Sequence, residues 1–374
     1  MNQAKIPVVV VGAGIVGVTT AYMLQKSGKY QVFIVSECLI TDPQDKVNQS
    51  WASPFAGANW HAYATDDDLP LQELEQETLR ELKRLADEQP ESGIKRTFCH
   101  EFVSAKDYKE PWFVRSLDQT RYLPKESLPF NCDIGIEFAT VIINAPHYLE
   151  WMTKRFLAAG GAAFKGRIDA LSDATEYIPR DLIGGRVPII VNCAALGNLY
   201  LSDVKDTKMH PVRGQVVLVD APKVKLTISN TPAWKYVIPR GDGTVILGGT
   251  YLVDNWSTTP DNNTTAEILT ETIKFCPELI GETTPTTEAN LYERVKTLRS
   301  KIIKVNVGFR PLREGGPRIE AGSVNHPGTG VSIPVVHNYG HGGYGYQSSW
   351  ASAAKAKKLV DSIASKSIYE RSRL

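Results

Sequence analysis

The sequence predicts an α/β chain, in which a parallel-sheet nucleotide-binding domain is combined with a discontinuous α+β domain built on a mixed sheet. Three observations predict it. The first is Val8 to Glu37, VVVVGAGIVGVTTAYMLQKSGKYQVFIVSE, where a short β-branched apolar run is followed by Gly12, Gly14 and Gly17 at the spacing G-x-G-x-x-G. Such a run suits a strand buried on both faces of a parallel sheet. The second is Glu37, which ends the apolar run Gln31 to Val35 about 20 residues past Gly17, where an acid accepts hydrogen bonds from a ribose 2′-OH. The third is a change of character after Val212, where the β-branched runs Gln215–Val219, Val237–Pro239 and Val245–Gly249 are separated by turn signals.

Within the first stretch each glycine has a physical task. Gly12 allows the tight turn out of the strand, Gly14 lets a pyrophosphate approach the backbone, and Gly17 lets the next helix pack close to the strand. That helix, Ile15 to Ser27, presents its N-terminal N–H groups to an anion. Strand, fingerprint, helix, strand and acid together make a Rossmann-like dinucleotide site. Glu37 argues against a 2′-phosphate, which leaves FAD or NAD.

Further along, Ser50 to His61 mixes small residues with aromatics, which reads either as backbone lying against a flat ligand or as a packed loop. Leu69 to Gln89 is an amphipathic helix with Leu71, Leu74, Leu79 and Leu82 on its core face. Arg96–Val103 and Ile134–Ile143 read as strands, His147–Ala159 as a helix, Ala162–Ile168 and Ile189–Cys193 as strands. Gly241-Asp242-Gly243 signals a hairpin, Thr264–Phe275 a helix and Lys301–Phe309 a strand. Val335–Asn338, a glycine-rich turn and a helix from Gln347 to Lys366 close the nucleotide-binding domain. The expected division is residues 1–70, 145–200 and 303–374 for that domain, 71–144 and 201–302 for the substrate domain, and 368–374 as an exposed tail.

Composition excludes some functions. The 374 residues carry 42% hydrophobic and 22% charged side chains, as a globular protein with a large core does. A net charge of +1 gives no field for nucleic acid or acidic membranes. The five cysteines are widely spaced without a C-x-x-C, which fits free thiols rather than a disulfide framework or zinc site. No histidine spacing resembles a metal site. The first strand begins within a few residues of the start, leaving no room for a signal peptide, and no apolar run is long enough to span a membrane. The terminal Ser372-Arg373-Leu374 resembles the S-K-L peroxisomal address.

Three places carry candidate chemistry. Arg310, between Phe309 and Pro311, follows an apolar run, and its guanidinium would pair bidentately with a substrate carboxylate or with a carboxylate of the protein. Tyr236 and Tyr251 stand at the ends of neighbouring strands, as phenols enclosing a small substrate or as core tyrosines. His61 would serve as a general base, as a cation for an acidic group, or as a loop histidine.

At these residues the chain resembles the FAD-dependent D-amino-acid oxidase family, which includes the D-aspartate oxidases. The resemblance covers Val8–Gly17, Ser53–Trp60, Pro211–Gln215, Tyr236–Arg240, Gly248–Tyr251, Gly308–Glu320 (GFRPLREGGPRIE) and Val336–Gln347 (VHNYGHGGYGYQ). It implies that Gly12, Ala13, Gly14, Ile15, Gly17, Ser36, Glu37 and Ser53 hold the FAD pyrophosphate and ribose, and that Arg167 and Ile168 lie near the adenine. Ala56, Gly57, Ala58, Asn59 and Trp60 would flank the flavin, with Gly342, Gly343, Tyr344, Gly345, Tyr346 and Gln347 at its pyrimidine edge. Arg310 and Tyr236 would hold the substrate α-carboxylate, Tyr251 would border the pocket, and the carbonyl near Gly343 would receive the amino group. The implied reaction is oxidative deamination of a D-amino acid by molecular oxygen to a 2-oxo acid, ammonia and hydrogen peroxide. The resemblance also implies a peroxisomal enzyme that meets an import receptor through its last three residues, and a homo-oligomer.

Two departures bear on this. The turn Asn192-Cys193-Ala194-Ala195 lacks the hydroxyl usual in the family, and Tyr251 stands where mammalian D-aspartate oxidases have an arginine. His61, with Asn230 or Lys235, would instead supply the groups for a side-chain carboxylate, so an acidic D-amino acid is the expected substrate and a neutral one the alternative. Two readings from other classes are an NAD-dependent dehydrogenase sharing only the first βαβ unit, and a non-catalytic nucleotide-binding protein.

Overall fold

The computed structural model describes residues 5–42, 50–117, 119–129, 132–183 and 185–371. Ser372-Arg373-Leu374 lies outside the described residues. In chain order the first half holds β1 (Ile6–Val11), α1 (Ile15–Lys26), β2 (Tyr30–Ser36), α2 (Leu69–Glu88), β3 (Ile94–Val103), α3 (Trp112–Ser116), β4 (Arg121–Tyr122), β5 (Ile134–Ile143) and α4 (Ala145–Ala158). Then come β6 (Ala162–Lys165), α5 (Arg180–Ile183), β7 (Ile189–Asn192), β8 (Met209–Asp220), β9 (Thr227–Asn230), β10 (Lys235–Pro239), β11 (Thr244–Gly248) and β12 (Leu252–Val253). The chain continues with α6 (Asn262–Phe275), α7 (Glu288–Ser300), β13 (Ile302–Arg313), β14 (Arg318–Asn325), β15 (Ser332–Tyr339) and α8 (Gly345–Arg371).

These elements form two compact units, residues 1–54, 149–212 and 310–374, and residues 55–148 and 213–309. The first unit is built on a six-stranded sheet in the order β14-β15-β7-β1-β2-β6. Its central strands run parallel, with Val8 opposite both Val32 and Ile189, and Val335 opposite Ile190. Val8, Val9 and Val10 are fully buried, as a strand covered on both faces requires. Val9, Val11, Phe33, Val35, Ile190 and Val335 share one core with Leu171 and Ala174. Asn338 donates to Thr20 of α1 at 3.2 Å, tying the end of β15 to that helix.

The second unit carries a mixed sheet, β12-β8-β11-β10-β9-β3-β5-β4, with β13 also paired to β8. β3 and β9 run parallel, whereas β3–β5, β9–β10 and β10–β11 are antiparallel. The Gly241-Asp242-Gly243 turn joins β10 to β11, with both glycines at positive φ (79° and 99°). That backbone is open to glycine at no steric cost. Val217, Val219, Val237, Val245 and Leu247 pack with Ile268, Leu269 and Ile273 of α6 and Leu298 of α7.

The segment from Phe55 onward belongs to the second unit, ahead of the boundary at residue 70 expected from sequence. Its backbone is the reason. Ala58 N–H donates to the Ile143 carbonyl at 3.2 Å, Ile143 N–H returns a bond to Ala58 at 2.8 Å, and Trp60 N–H donates to Val141 at 3.0 Å. The loop is thereby an extra edge on β5.

Candidate functional site

In the first unit the fingerprint glycines are fixed by backbone contact. A Cβ on Gly12, which has φ of 104°, would stand 2.5 Å from the Cys193 carbonyl oxygen, and one on Gly17 would stand 2.0 Å from the Gly12 carbonyl oxygen. Neither distance is tolerable against backbone. A Cβ on Gly14 would stand 3.2 Å from Ser53 Oγ and 3.8 Å from Trp51 Nε1. Ser36 Oγ accepts from Ala13 N–H at 3.2 Å, and Ser53 Oγ accepts from Ile15 N–H at 3.0 Å. The Trp51 indole N–H is buried with no hydrogen-bond partner among the described residues. A buried donor without a partner calls for an absent acceptor, and this one lies at the turn where a phosphate would sit. Trp51 was not among the residues singled out from sequence.

Gly166 N–H donates to the Ser36 carbonyl at 2.9 Å, which brings Arg167 and Ile168 beside the end of β2. Tyr177 OH fixes the Arg167 carbonyl at 2.7 Å. Glu37 follows Ser36 as an exposed side chain. The Asn192-Cys193-Ala194-Ala195 turn keeps its shape without a hydroxyl, because Asn192 Oδ1 accepts from Ala194 N–H at 3.0 Å and Asn192 Nδ2 donates to Asn198 at 2.6 Å. Burial pushes the Cys193 thiol up to about 12, so it stays protonated and unreactive.

The glycine-rich turn before α8 sits in the same unit. A Cβ on Gly345 would lie 3.6 Å from Ile15 Cγ2 and 3.9 Å from Val16 Cγ2, so the N-termini of α1 and α8 are neighbours. Two helix ends with unsatisfied N–H groups favour negative charge between them. His341 braces the turn through Ser348 Oγ at 3.0 Å and Asn338 Oδ1 at 3.1 Å. Burial lowers its imidazole to about 4, which keeps it neutral. Gly342 N–H donates to the Pro311 carbonyl at 2.9 Å, and Leu312 bridges to His341. A Cβ on Gly343 would stand 3.3 Å from Arg310 Cδ and 3.7 Å from Arg310 Nε. The Arg310 side chain therefore runs along Gly343. Tyr344, Tyr346 and Gln347 are buried, and Tyr346 OH donates to the Ser53 carbonyl at 3.0 Å.

In the second unit Arg240 clamps the Ala56–Trp60 loop. Its Nε donates to the Gly57 carbonyl at 3.1 Å and one Nη to the Ala56 carbonyl at 3.0 Å. Asn59 donates to Thr227 Oγ1 at 3.4 Å, and the Trp60 indole donates to the Glu75 carbonyl at 2.9 Å. A Cβ on Gly57 would meet Ile238 Cδ1 at 2.6 Å, so glycine lets the loop lie flat on β10. Tyr236 pairs with Gly248 across β10 and β11, and its hydroxyl would be 2.4 and 2.7 Å from Cβ atoms on Gly248 and Gly249. Its ring thus lies across the bare backbone of those glycines. Tyr251 OH shares a 3.2 Å hydrogen bond with Tyr63 OH.

The groups expected to hold an acidic side chain are engaged inside this unit. His61 Nε2 is 3.5 Å from Glu101 Oε2. Lys235 Nζ pairs with Glu267 at 2.8 Å and donates to the Ala233 carbonyl at 3.3 Å. Asn230 Oδ1 accepts from Ala233 N–H at 3.1 Å.

Burial opposes a charge on His61, but the Glu101 carboxylate outweighs it and the imidazole pKa is raised. A raised folded-state value contributes stability that is complete below the unfolded value of about 6.5 and is lost as pH rises through the folded one. The melting-temperature advantage of the native chain over His61→Gln is therefore expected to shrink from pH 6 to pH 9. A thermal-unfolding series would show this, and an advantage that grew with pH would contradict it.

Residues 7–359 match the model of a family described as FAD dependent oxidoreductase. A D-amino-acid oxidase of Fusarium vanettenii is 34% identical, over 95% of this chain and 97% of that protein. A D-aspartate oxidase of Cryptococcus neoformans var. grubii is 32% identical, over 94% of this chain and 96% of that protein. Among solved structures, a glycine oxidase of Bacillus cereus superposes with a TM-score of 0.70 at 18% identity, covering 96% of this chain and 95% of that one, a likeness of fold. The glycine turn, with its orphaned indole donor and adjoining helix ends, fits the FAD pyrophosphate. By a match spanning nearly all of its length, this chain belongs to the FAD-dependent oxidoreductase family.

Proposed function

We propose that the chain is an FAD-dependent oxidase of D-amino acids, with neutral side chains preferred over acidic ones. The observation that carries the reading is the Arg310 side chain along Gly343, in the turn that opens α8. A guanidinium there offers a fork for an α-carboxylate, and the neighbouring helix end favours negative charge. FAD, held by the Gly12–Gly17 turn, would supply a two-electron acceptor for the substrate Cα hydrogen and its electron pair, the amino group would give up the accompanying proton, and reoxidation by oxygen would yield hydrogen peroxide.

The chain's own residues bind and orient. Gly12, Gly14, Gly17 and Ser53 shape the pyrophosphate cradle, with Trp51 as a further donor. Ala56 to Trp60 offer a flat backbone face held by Arg240. Arg310 grips the carboxylate, and a backbone carbonyl near Gly343 accepts from the amino group. Fixing the substrate in this way supplies proximity and orientation. No protein nucleophile takes part, and the imino acid leaves and hydrolyses to a 2-oxo acid and ammonia.

Side-chain preference follows from the pairing in the second unit. His61 already faces a carboxylate, Lys235 is paired with Glu267, and Asn230 braces a turn. An acidic side chain meeting His61 would have to displace Glu101, whereas a neutral one would not. Initial rates of peroxide release with D-alanine, D-methionine, D-aspartate and L-alanine test this. D-alanine and D-methionine are expected to exceed D-aspartate by about tenfold, the scale of one modest binding difference. D-aspartate as the best substrate would reverse the preference.

A further inference from the structure

Asp206, between β7 and β8 in the first unit, is a buried carboxylate that the reading above leaves unused. Its Oδ2 accepts from Arg313 Nε at 2.8 Å and from Tyr339 OH at 2.7 Å, and its Oδ1 accepts from Lys208 N–H at 3.1 Å. Burial opposes its charge, but these donors outweigh it and hold the carboxyl below its ordinary range. Its own N–H donates to the Asn198 carbonyl at 2.9 Å, and Asn198 is the residue that steadies Asn192 in the turn beside Gly12. A charge pair largely removed from water fixes geometry, because either member alone would be left buried and uncompensated.

What the pair fixes is the end of β13. Arg313 closes the strand that carries Arg310. The glycine-rich turn gives that strand end one anchor, since Gly342 N–H bonds Pro311 and Leu312 bridges to His341. Arg313 adds a second, through Asp206 and through the Glu314 and Gly316 carbonyls at 3.4 and 3.3 Å. A Cβ on Gly340, which has φ of 90°, would stand 2.7 Å from Arg313 Cβ, so strand end and turn are already in close contact. The single oxygen Oδ2 thus joins the end of β13 to the end of β15, from which the turn bearing Gly343 departs. Arg310 lies along Gly343 within this frame. Misplacing a gripping group by about 1 Å can cost about a hundredfold.

We infer that Asp206, through Arg313 and Tyr339, is a positioning residue that sets where Arg310 meets the substrate carboxylate. This rests on the oxidase reading. The test is steady-state kcat and KM for D-alanine in the FAD-loaded native enzyme, Asp206→Asn, Arg310→Ala and the double variant. Asparagine keeps the shape and an acceptor oxygen but loses the charge that holds Arg313. Asp206→Asn is expected to raise KM about tenfold with kcat within about threefold of native, the pattern of weakened carboxylate binding. In the Arg310→Ala background the same substitution is expected to change KM by less than about twofold, since the group it positions is gone. A KM unmoved in Asp206→Asn, or raised equally in both backgrounds, overturns the inference and leaves the oxidase reading standing. If Asp206→Asn does not fold, Tyr339→Phe decides in the same way, with a rise in KM of about threefold that disappears in the Arg310→Ala background. No turnover of any D-amino acid by the native enzyme overturns both.

Discussion

Arg310→Ala is expected to lower kcat/KM for D-alanine about a hundredfold. Removing one member of a partly buried, hydrogen-bonded charge pair costs about 3 kcal/mol, and 1.36 kcal/mol is a factor of ten. The loss falls on the substrate carboxylate, so it should not depend on the side chain of the substrate. Arg310→Lys keeps the charge and loses the fork, and is expected to recover only part of the rate. Flavin retained through gel filtration reports the cradle separately and should stay near the native level. Steady-state kinetics on both variants check the prediction. Turnover within about threefold of native in Arg310→Ala would mean that the carboxylate is held elsewhere, since such a change is well under 1.36 kcal/mol.

Gly17→Ala is expected to give a protein that does not retain FAD. The added methyl would stand 2.0 Å from the Gly12 carbonyl oxygen and 3.3 Å from Cys193 Cβ. Backbone cannot yield as the end of a side chain can, so α1 must move away from β1. Overpacking of this kind costs about 1–3 kcal/mol, and it also displaces the amides that face the pyrophosphate. Released flavin, measured by fluorescence after denaturing the desalted protein, should fall to a small fraction of native, with a lower melting temperature. Full occupancy with unchanged melting would show that the fingerprint is a turn without a ligand.

How far the sequence was legible follows from burial. β5 was read at its observed bounds, Ile134–Ile143, because an apolar run buried on a mixed sheet announces itself. The exposed elements went unread. α7 buries only Arg294 and Leu298, so no apolar period marks it. β14 is an edge strand with mostly exposed residues, and it shows no alternation. β13 continues past Phe309 to Arg313, carrying Arg310 within a strand. Gly12, Gly14 and Gly17 were legible at the site because their spacing is itself the constraint. Pairings between distant residues were not. Nothing near His61 announces Glu101, and nothing near Ala56 announces Arg240. Trp51 sat in a loop whose composition suggested packing, and only its missing partner marks it. Asn230 and Lys235 were noticed for their charge and polarity, but their lone pairs and protons serve a turn.

The most direct measurement is the stereochemical comparison in the peroxide assay, run on native enzyme carrying bound flavin. Peroxide formed in step with 2-oxo acid from D-alanine, with L-alanine inert under the same conditions, is the result this account predicts. Oxidation of L-alanine at an equal rate, or a flavin-loaded protein that consumes no oxygen with either enantiomer, would contradict it.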